Sequence, residues 1–184
     1  MPASVQTAYG LAGLFWLSWL LAAAWTRRTA SRPQFGAQTL YTVIFLIGFG
    51  MLMASTNPGI AAPWPLDGLL IGAMAAGFAF CWWARLHLGS LWSGTVMTRE
   101  GHHVVDTGPY RLVRHPIYTG LIVSGFALAA LKLDPISFLG AALWTLSFWI
   151  KARLEERFLR AELGEADYDA YAARTPMLIP FWPV

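Results

Sequence analysis

Charge is what this chain lacks most. Only 12% of its 184 residues are Asp, Glu, Lys or Arg, 57% are hydrophobic, and the mean hydropathy is +0.49. An ordinary soluble domain is about a quarter charged, so a water-exposed globule is not expected. The deficit is uneven: no charged side chain occurs from Met1 to Thr26, and none from Gln34 to Leu66. Each stretch exceeds the ~20 apolar residues with which a helix crosses a bilayer. Cysteine is also scarce. Cys81 stands alone, so no intrachain disulfide can form, and it reads as a small apolar packing residue. The chain has no glycine-rich phosphate loop, no G-x-G-x-x-G fingerprint and no Ser/His/Asp order. Nor does it show an internal repeat, a low-complexity tract or a soluble domain.

What is present instead is a set of apolar segments, about Tyr9–Trp25, Gln38–Ala54, Gly68–Ala84, Tyr118–Leu131 and Pro135–Ile150. The last two are short, and Lys132-Leu133-Asp134-Pro135 joins them with the aspartate and proline of a tight turn. They read as a hairpin packed against the other three. Ala22-Ala23-Ala24 resembles a signal-cleavage site, but no basic region precedes the first segment and its apolar run is too long. A retained helix is expected. Ser124 and Ser137 read as helix-packing residues.

Positive charge orients the segments. Arg27, Arg28 and Arg32 follow the first; Arg85, Arg99, Arg111 and Arg114 lie between the third and fourth; Lys151, Arg153, Arg157, Arg160 and Arg174 follow the fifth. Of the 13 Lys and Arg only Lys132 lies elsewhere. With five crossings these regions share one face, which the positive-inside bias makes cytoplasmic. The expected protein is an all-α, multi-pass integral membrane protein of five transmembrane helices, N-terminus outside and tail inside. It is one domain, 1–184, with N-terminal helices in 1–66 and a catalytic core in 67–184. Trp25, Trp64, Trp82, Trp83 and Trp149 fall near span ends, where indoles settle. The net charge of +3 then reflects topology and attraction to anionic lipid in the bilayer, not nucleic acid.

The remaining polar chemistry sits in two stretches that the hairpin brings to one face. The first is LGSLWSGTVMTREGHHVVDTGPYRLVRHPIYTG, residues 88–120; the second is KARLEERFLRAELGEADYDAYAARTPMLIPF, residues 151–181. Gly108-Pro109 is a turn, and Pro116 suits the first turn of a helix, where its missing N–H costs little. Arg114 and His115 then stand at a helix N-terminus, the end that attracts anions. Two readings stay open: an anion site beside the hydrocarbon, or cations snorkelling to lipid headgroups. In the second stretch Lys151 with Glu155, and Glu156 with Arg160, have i,i+4 spacing, each pair worth about 0.2–0.5 kcal/mol. A solvated surface helix is the plain alternative there. Tyr168 and Tyr171 share a face, and Ile179-Pro180-Phe181-Trp182-Pro183 is apolar enough to return to the membrane surface. His102-His103 with His115 does not read as a metal site, since adjacent histidines point apart, and no metal is expected.

The order G-P-Y-x-x-x-R-H-P-x-Y-x-G, a hairpin, then E-E and Y-x-x-Y-x-x-R-T-P resembles the isoprenylcysteine carboxyl methyltransferase (ICMT) family and its phospholipid methyltransferase relatives, over roughly residues 70–182. The resemblance implies a membrane-embedded enzyme that uses S-adenosylmethionine (SAM) and a lipophilic small-molecule substrate. It implies cofactor contacts at His102, His103, Val104, Val105, Tyr110, His115, Pro116, Ile117, Tyr118, Glu155 and Glu156. A substrate-facing arginine of the family falls on Lys151. Lysine keeps the charge without the bidentate fork, and Arg153 is the alternative. Arg114, Lys151 and Arg153 are the candidate catalytic residues. The chain also has one residue more between Gly164 and Tyr168 than the family spacing. Two rival readings remain: an NADPH-dependent reductase of the sterol-reductase type, against which the acidic pair and R-T-P weigh, and a non-catalytic membrane scaffold.

Overall fold

The computed structural model of the chain describes residues 1–22, 29–31, 35–54, 65–89, 92, 98–99 and 104–182. Its helices are α1 Ala3–Leu21, α2 Phe35–Ala54, α3 Leu66–Leu88, α4 Pro116–Lys132, α5 Pro135–Leu163 and α6 Glu165–Ala172. The first five carry the five apolar segments. Trp25 and Trp64 lie outside the described residues. The all-helical expectation needs one amendment, since β1, Thr29–Ser31, pairs antiparallel with β2, Thr98–Arg99. Both are short connecting segments at the same end of the bundle, and pairing satisfies backbone groups that a connection otherwise leaves to water. A second amendment concerns Arg85. It does not belong to the loop but lies in the last turn of α3, buried, with its guanidinium between the Trp19 and Trp92 rings and Nη2 donating to the Ala22 carbonyl just past α1.

Neighbouring helices alternate in direction. Lys151 meets Tyr41 while Gly140 meets Gly48 and Leu52, so α2 and α5 are antiparallel. Cys81 meets Ile117 while Met74 meets Ser124, so α3 and α4 are antiparallel too. Both crossings are closed by residues without bulk, as in membrane helix pairs. A Cβ on Gly120 would lie 2.6 Å from Cys81 Sγ, and one on Gly48 would lie 2.7 Å from the Trp144 backbone N. Ser124 donates to the Met74 carbonyl across the first crossing, consistent with its reading as a packing residue.

The outside of the bundle is as apolar as its inside: Leu17, Leu46, Leu69, Phe126, Leu139 and Leu146 are all exposed. Such a perimeter on five helices fits a lipid surround, since soluble monomers rarely expose large contiguous apolar patches. Among the described residues Leu66–Leu88 alone is long and apolar enough by itself to cross a membrane; Gln38–Ala54 and Pro116–Lys132 are apolar but shorter.

The α4–α5 turn forms as its sequence suggests. Leu133 takes a left-handed φ of 47°, Pro135 opens α5, and Asp134 Oδ2 accepts the Ser137 N–H and hydroxyl, both at 2.9 Å. Beside it, buried Lys132 donates to the Leu52 carbonyl at 2.7 Å and to Tyr9 Oη at 3.0 Å, while Tyr9 donates to Met53. A cation at the C-terminal carbonyls of α2 meets the negative end of that helix.

Candidate functional site

At the opposite end the chain before α4 is folded by Gly108, whose φ of +56° starts a single helical turn over Gly108–Arg111. A Cβ there would lie 2.7 Å from the His87 ring, which bonds Thr107 at 2.8 Å, so glycine is required by space as well as by conformation. The Tyr110 carbonyl accepts the Tyr171 hydroxyl at 2.7 Å, tying this turn to α6. The tail then runs along the mouth of α4. The N–H groups of Arg114 and His115 donate to the carbonyls of Pro176, at 2.9 Å, and Met177, at 3.1 Å, and the Thr119 hydroxyl donates to Leu178 at 2.6 Å.

Between these strands of chain lies a cluster of ionisable side chains drawn from α4 and α5. Arg114 Nε and His115 Nε2 both reach Glu156 Oε1, at 2.7 and 3.1 Å. His115 Nδ1 lies 3.5 Å from Glu155 Oε2, which also accepts the Tyr118 hydroxyl at 2.7 Å. The imidazole thus bridges two successive glutamates. Their 100° separation around the helix is what lets one ring sit between them. His115 also stacks on Tyr118 with centroids 5.3 Å apart and planes 3° from parallel. Side-chain exposure is 17% for Glu155 and 12% for Glu156, so this is no solvated surface helix.

The electrostatics follow from burial against pairing. Burial pushes the Glu156 carboxyl up, but bonds from His115 and Arg114 outweigh it and hold the group at about 2. Burial likewise raises Glu155, and His115, Lys151 and Tyr118 together bring it below the ordinary value. For His115 burial works downward, yet the two carboxylates carry the imidazole above its ordinary value. Burial holds the Tyr110 hydroxyl well above the ordinary phenol range. The two carboxylates thus favour the protonated form of the imidazole between them, and the tyrosines beside it keep their phenol protons.

The structure brings together half of the site residues singled out in the sequence. Arg114, His115, Tyr118, Lys151, Glu155 and Glu156 converge, with Tyr110 beside them. Arg114 does not present an open anion site, because its guanidinium is engaged by Glu156 and by the carbonyls of Ala172, at 3.0 Å, and Thr175, at 2.5 Å. It positions Glu156 and the tail. Arg153 is exposed and lies over the Trp149 ring at 5.6 Å, away from the cluster, whereas Lys151 is buried within it. Pro116 is buried as the first residue of α4, and the Ile117 carbonyl takes the Cys81 thiol at 3.3 Å. Val104 and Val105 are half-buried in the approach to the Gly108 turn. His102 and His103 lie outside the described residues.

Three participants went unread in the sequence: Tyr41 from α2, Thr119, and Thr175, which is 2% exposed. Only Thr175 had a signal, as part of R-T-P. The expected local pair of Glu156 with Arg160 gives way to Arg114 and His115, and Arg160 bonds Asp169 at 2.7 Å instead.

Comparison with known proteins points to a family. The model of the isoprenylcysteine carboxyl methyltransferase (ICMT) family matches residues 70–161, half of the chain, from α3 to the charged end of α5. Protein-S-isoprenylcysteine O-methyltransferase B of Arabidopsis thaliana is 33% identical over 85 residues, 45% of this chain and 43% of that protein. Methanethiol S-methyltransferase 1 of Bradyrhizobium diazoefficiens is 39% identical over 72 residues, 39% of this chain and 24% of that protein. The cobalt-zinc-cadmium resistance protein CzcN of Cupriavidus metallidurans is 30% identical over 95 residues, 50% of this chain and 43% of that protein. The chain spans about half the length, or less, of these curated relatives.

Proposed function

The chain belongs to the isoprenylcysteine carboxyl methyltransferase family, and on that premise we propose that it is a membrane methyltransferase that moves a methyl group from SAM to a lipophilic acid. In this reading the bundle spans the bilayer five times with the His115 end facing the cytoplasm, in keeping with the placement of its basic residues. The observation that carries the proposal is the buried imidazole bridging Glu155 and Glu156 at the mouth of α4. A water-soluble cofactor with an ammonium, a carboxylate, a ribose diol and an adenine ring fits this donor set. The carboxylates suit the ammonium or the diol, and Tyr110, Tyr168 and Tyr171 offer rings to the adenine. Among the described residues the bonds on each glutamate gather on one oxygen, Oε2 of Glu155 and Oε1 of Glu156. The second oxygen of each serves the ligand.

SAM supplies an electrophilic methyl group on a sulfonium. The protein's share is to hold the partners in line and keep water out, and such positioning is worth about 7–11 kcal/mol in favourable cases. The apolar perimeter admits a hydrocarbon tail between helices. Two of the matched relatives are named for a carboxylate acceptor and a thiol acceptor respectively. An acceptor that arrives as an anion needs no general base. Calorimetric titration of the purified protein with SAM tests the reading, with His115→Ala and Glu155→Ala as companions. The wild type binds and both folded variants do not; stabilisation by NADPH and not by SAM would overturn it.

A further inference from the structure

One wall of the site comes from a helix outside the matched region. Trp144, Phe148 and Lys151 recur on one face of α5 at steps of four and three, the spacing that lines side chains up along a helix. Tyr41 and Phe45 of α2 oppose them, and Tyr118 of α4 closes the third side. Tyr118 stacks on Phe148 at 5.0 Å, and Phe45 meets the Phe148 ring edge-on at 5.8 Å. At the head of this seam the Lys151 ammonium lies 5.2 Å from the Tyr118 ring centre and 5.8 Å from that of Tyr41. Tyr41 is 7% exposed and Lys151 9%.

The placement of Tyr41 is dictated by a crossing two turns away. Gly48 lets the α2 backbone lie against Trp144, where a Cβ would come within 2.7 Å of the α5 chain. Counting seven residues back from Gly48 gives Tyr41, and seven forward from Trp144 gives Lys151. Seven residues are about two helical turns, so the antiparallel pair brings the phenol over the ammonium. Burying an ammonium costs several kcal/mol. Faces of aromatic rings within about 6 Å recover part of that, and Glu155 lies one turn along the same helix. The result is a cation held between two rings, with the His115–Glu155 cluster on one side and the Phe45–Phe148 stack on the other.

We infer that Tyr41 is a specificity-determining residue: with Tyr118 it aims the Lys151 ammonium at the anionic head of the acceptor, a carboxylate or thiolate whose apolar group lies along Phe45 and Phe148. This rests on the methyl-transfer reading. A lysine ammonium is a compact point charge, so it serves a single sulfur anion as well as a carboxylate oxygen. Tyr41 fixes the space left for either.

The test uses the full chain in nanodiscs, methyl-labelled SAM, and N-acetyl-S-farnesylcysteine and methanethiol as probe acceptors. Calorimetry gives the affinity for SAM separately. Tyr41→Ala should raise acceptor KM and change the ratio of kcat/KM between the two probes, each by about tenfold or more, while the affinity for SAM stays within about twofold. Tyr41→Phe keeps the ring and should stay close to wild type, as should Leu46→Ala on the outward face of the same helix. A folded Tyr41→Ala protein with unchanged KM and ratio overturns the inference, and so does one that loses SAM affinity in step with acceptor KM. Wild type that binds SAM yet methylates neither probe overturns it too, leaving the cofactor reading intact. Wild type that binds no SAM overturns both.

Discussion

The two ends of the bundle each bury ionisable groups, and they use them differently. At the hairpin turn Lys132 spends its charge on the carbonyl of Leu52 and the hydroxyl of Tyr9, and Asp134 caps α5. Every partner is a helix end or a side chain that supports one. At the other end His115, Glu155, Glu156 and Arg114 bond one another across two helices. None of those contacts caps a helix, and the backbone N–H groups of Arg114 and His115 are taken by the tail. Burial alone therefore does not mark a functional group. Charge beyond what the fold consumes does.

The largest expected effects come from removing one charge at each end. Glu156→Ala leaves Arg114 and His115 facing each other without their shared acceptor, and breaking a buried pair this way costs about 3–5 kcal/mol. Affinity for SAM should vanish in calorimetry. Lys132→Met orphans the Leu52 carbonyl, at a cost of about 1–3 kcal/mol, and should lower the melting temperature while SAM affinity holds. If the Lys132 variant folds but loses SAM binding, the ends are coupled and the distinction between them fails.

A second comparison sets backbone contact against charge. Gly120 of α4 lies in the crossing with α3, and Gly120→Ala would place a Cβ 2.6 Å from Cys81 Sγ. Overpacking of that kind costs about 1–3 kcal/mol. Because Gly120 lies only two residues beyond Tyr118, the displacement should weaken SAM binding as well as stability. Gly140→Ala, set in the α2–α5 crossing among Gly48 and Leu52, should lower stability with little effect on SAM. Equal effects of the two on SAM affinity would show that any loosening of the bundle disables the site.

The pH dependence belongs to the His115 end. Glu155 and Glu156 have lowered values, so their contribution is present above the ordinary carboxyl value of 4.5 and is lost as pH falls through the lowered ones. His115 is raised, so its contribution is complete below the ordinary 6.5 and is lost as pH rises through the raised value. Each unit of displacement is worth about 1.4 kcal/mol. Thermal melts across pH should therefore plateau between about 4.5 and 6.5 and decline on both sides. His115→Gln should abolish the alkaline decline, and persistence of that limb would place its origin elsewhere.

Much of this was legible in the sequence because it depends on composition. Stretches without charge mark α1 and α2, and Asp134-Pro135 marks the hairpin. His115 and the glutamate pair stood out by motif. What was not legible depends on long-range choice. Glu156 had a local partner in Arg160, worth a few tenths of a kcal/mol when exposed, but a part-buried bond from Arg114, 42 residues away, prevails. Arg114 read either as part of an anion site or as a snorkelling cation because the tail that engages it is far off in the chain. Tyr41 sits in an apolar run with nothing local to distinguish it, and the Gly48 crossing is what sets it beside Lys151. Even the two short strands follow from which connections the bundle brings together, and no window of residues reports that.

The smallest effect expected is the most discriminating about the tail. Thr119 donates to Leu178 at 2.6 Å, next to the pairings of Arg114 with Pro176 and His115 with Met177. Thr119→Val keeps the shape and removes the hydroxyl shared between the Leu178 carbonyl, at 2.6 Å, and the His115 carbonyl, at 3.2 Å, worth about 1 kcal/mol. No catalytic group is touched. If the tail only caps the bundle, the melting temperature falls slightly and SAM affinity is unchanged, as at the Lys132 end. If the tail sets the height of His115 between the two glutamates, affinity falls by a factor of a few while Thr145→Val, whose hydroxyl bonds Ala141 within α5, leaves it alone. The bond count favours the second outcome, because the tail holds the backbone of both Arg114 and His115 and the guanidinium of Arg114 holds the tail.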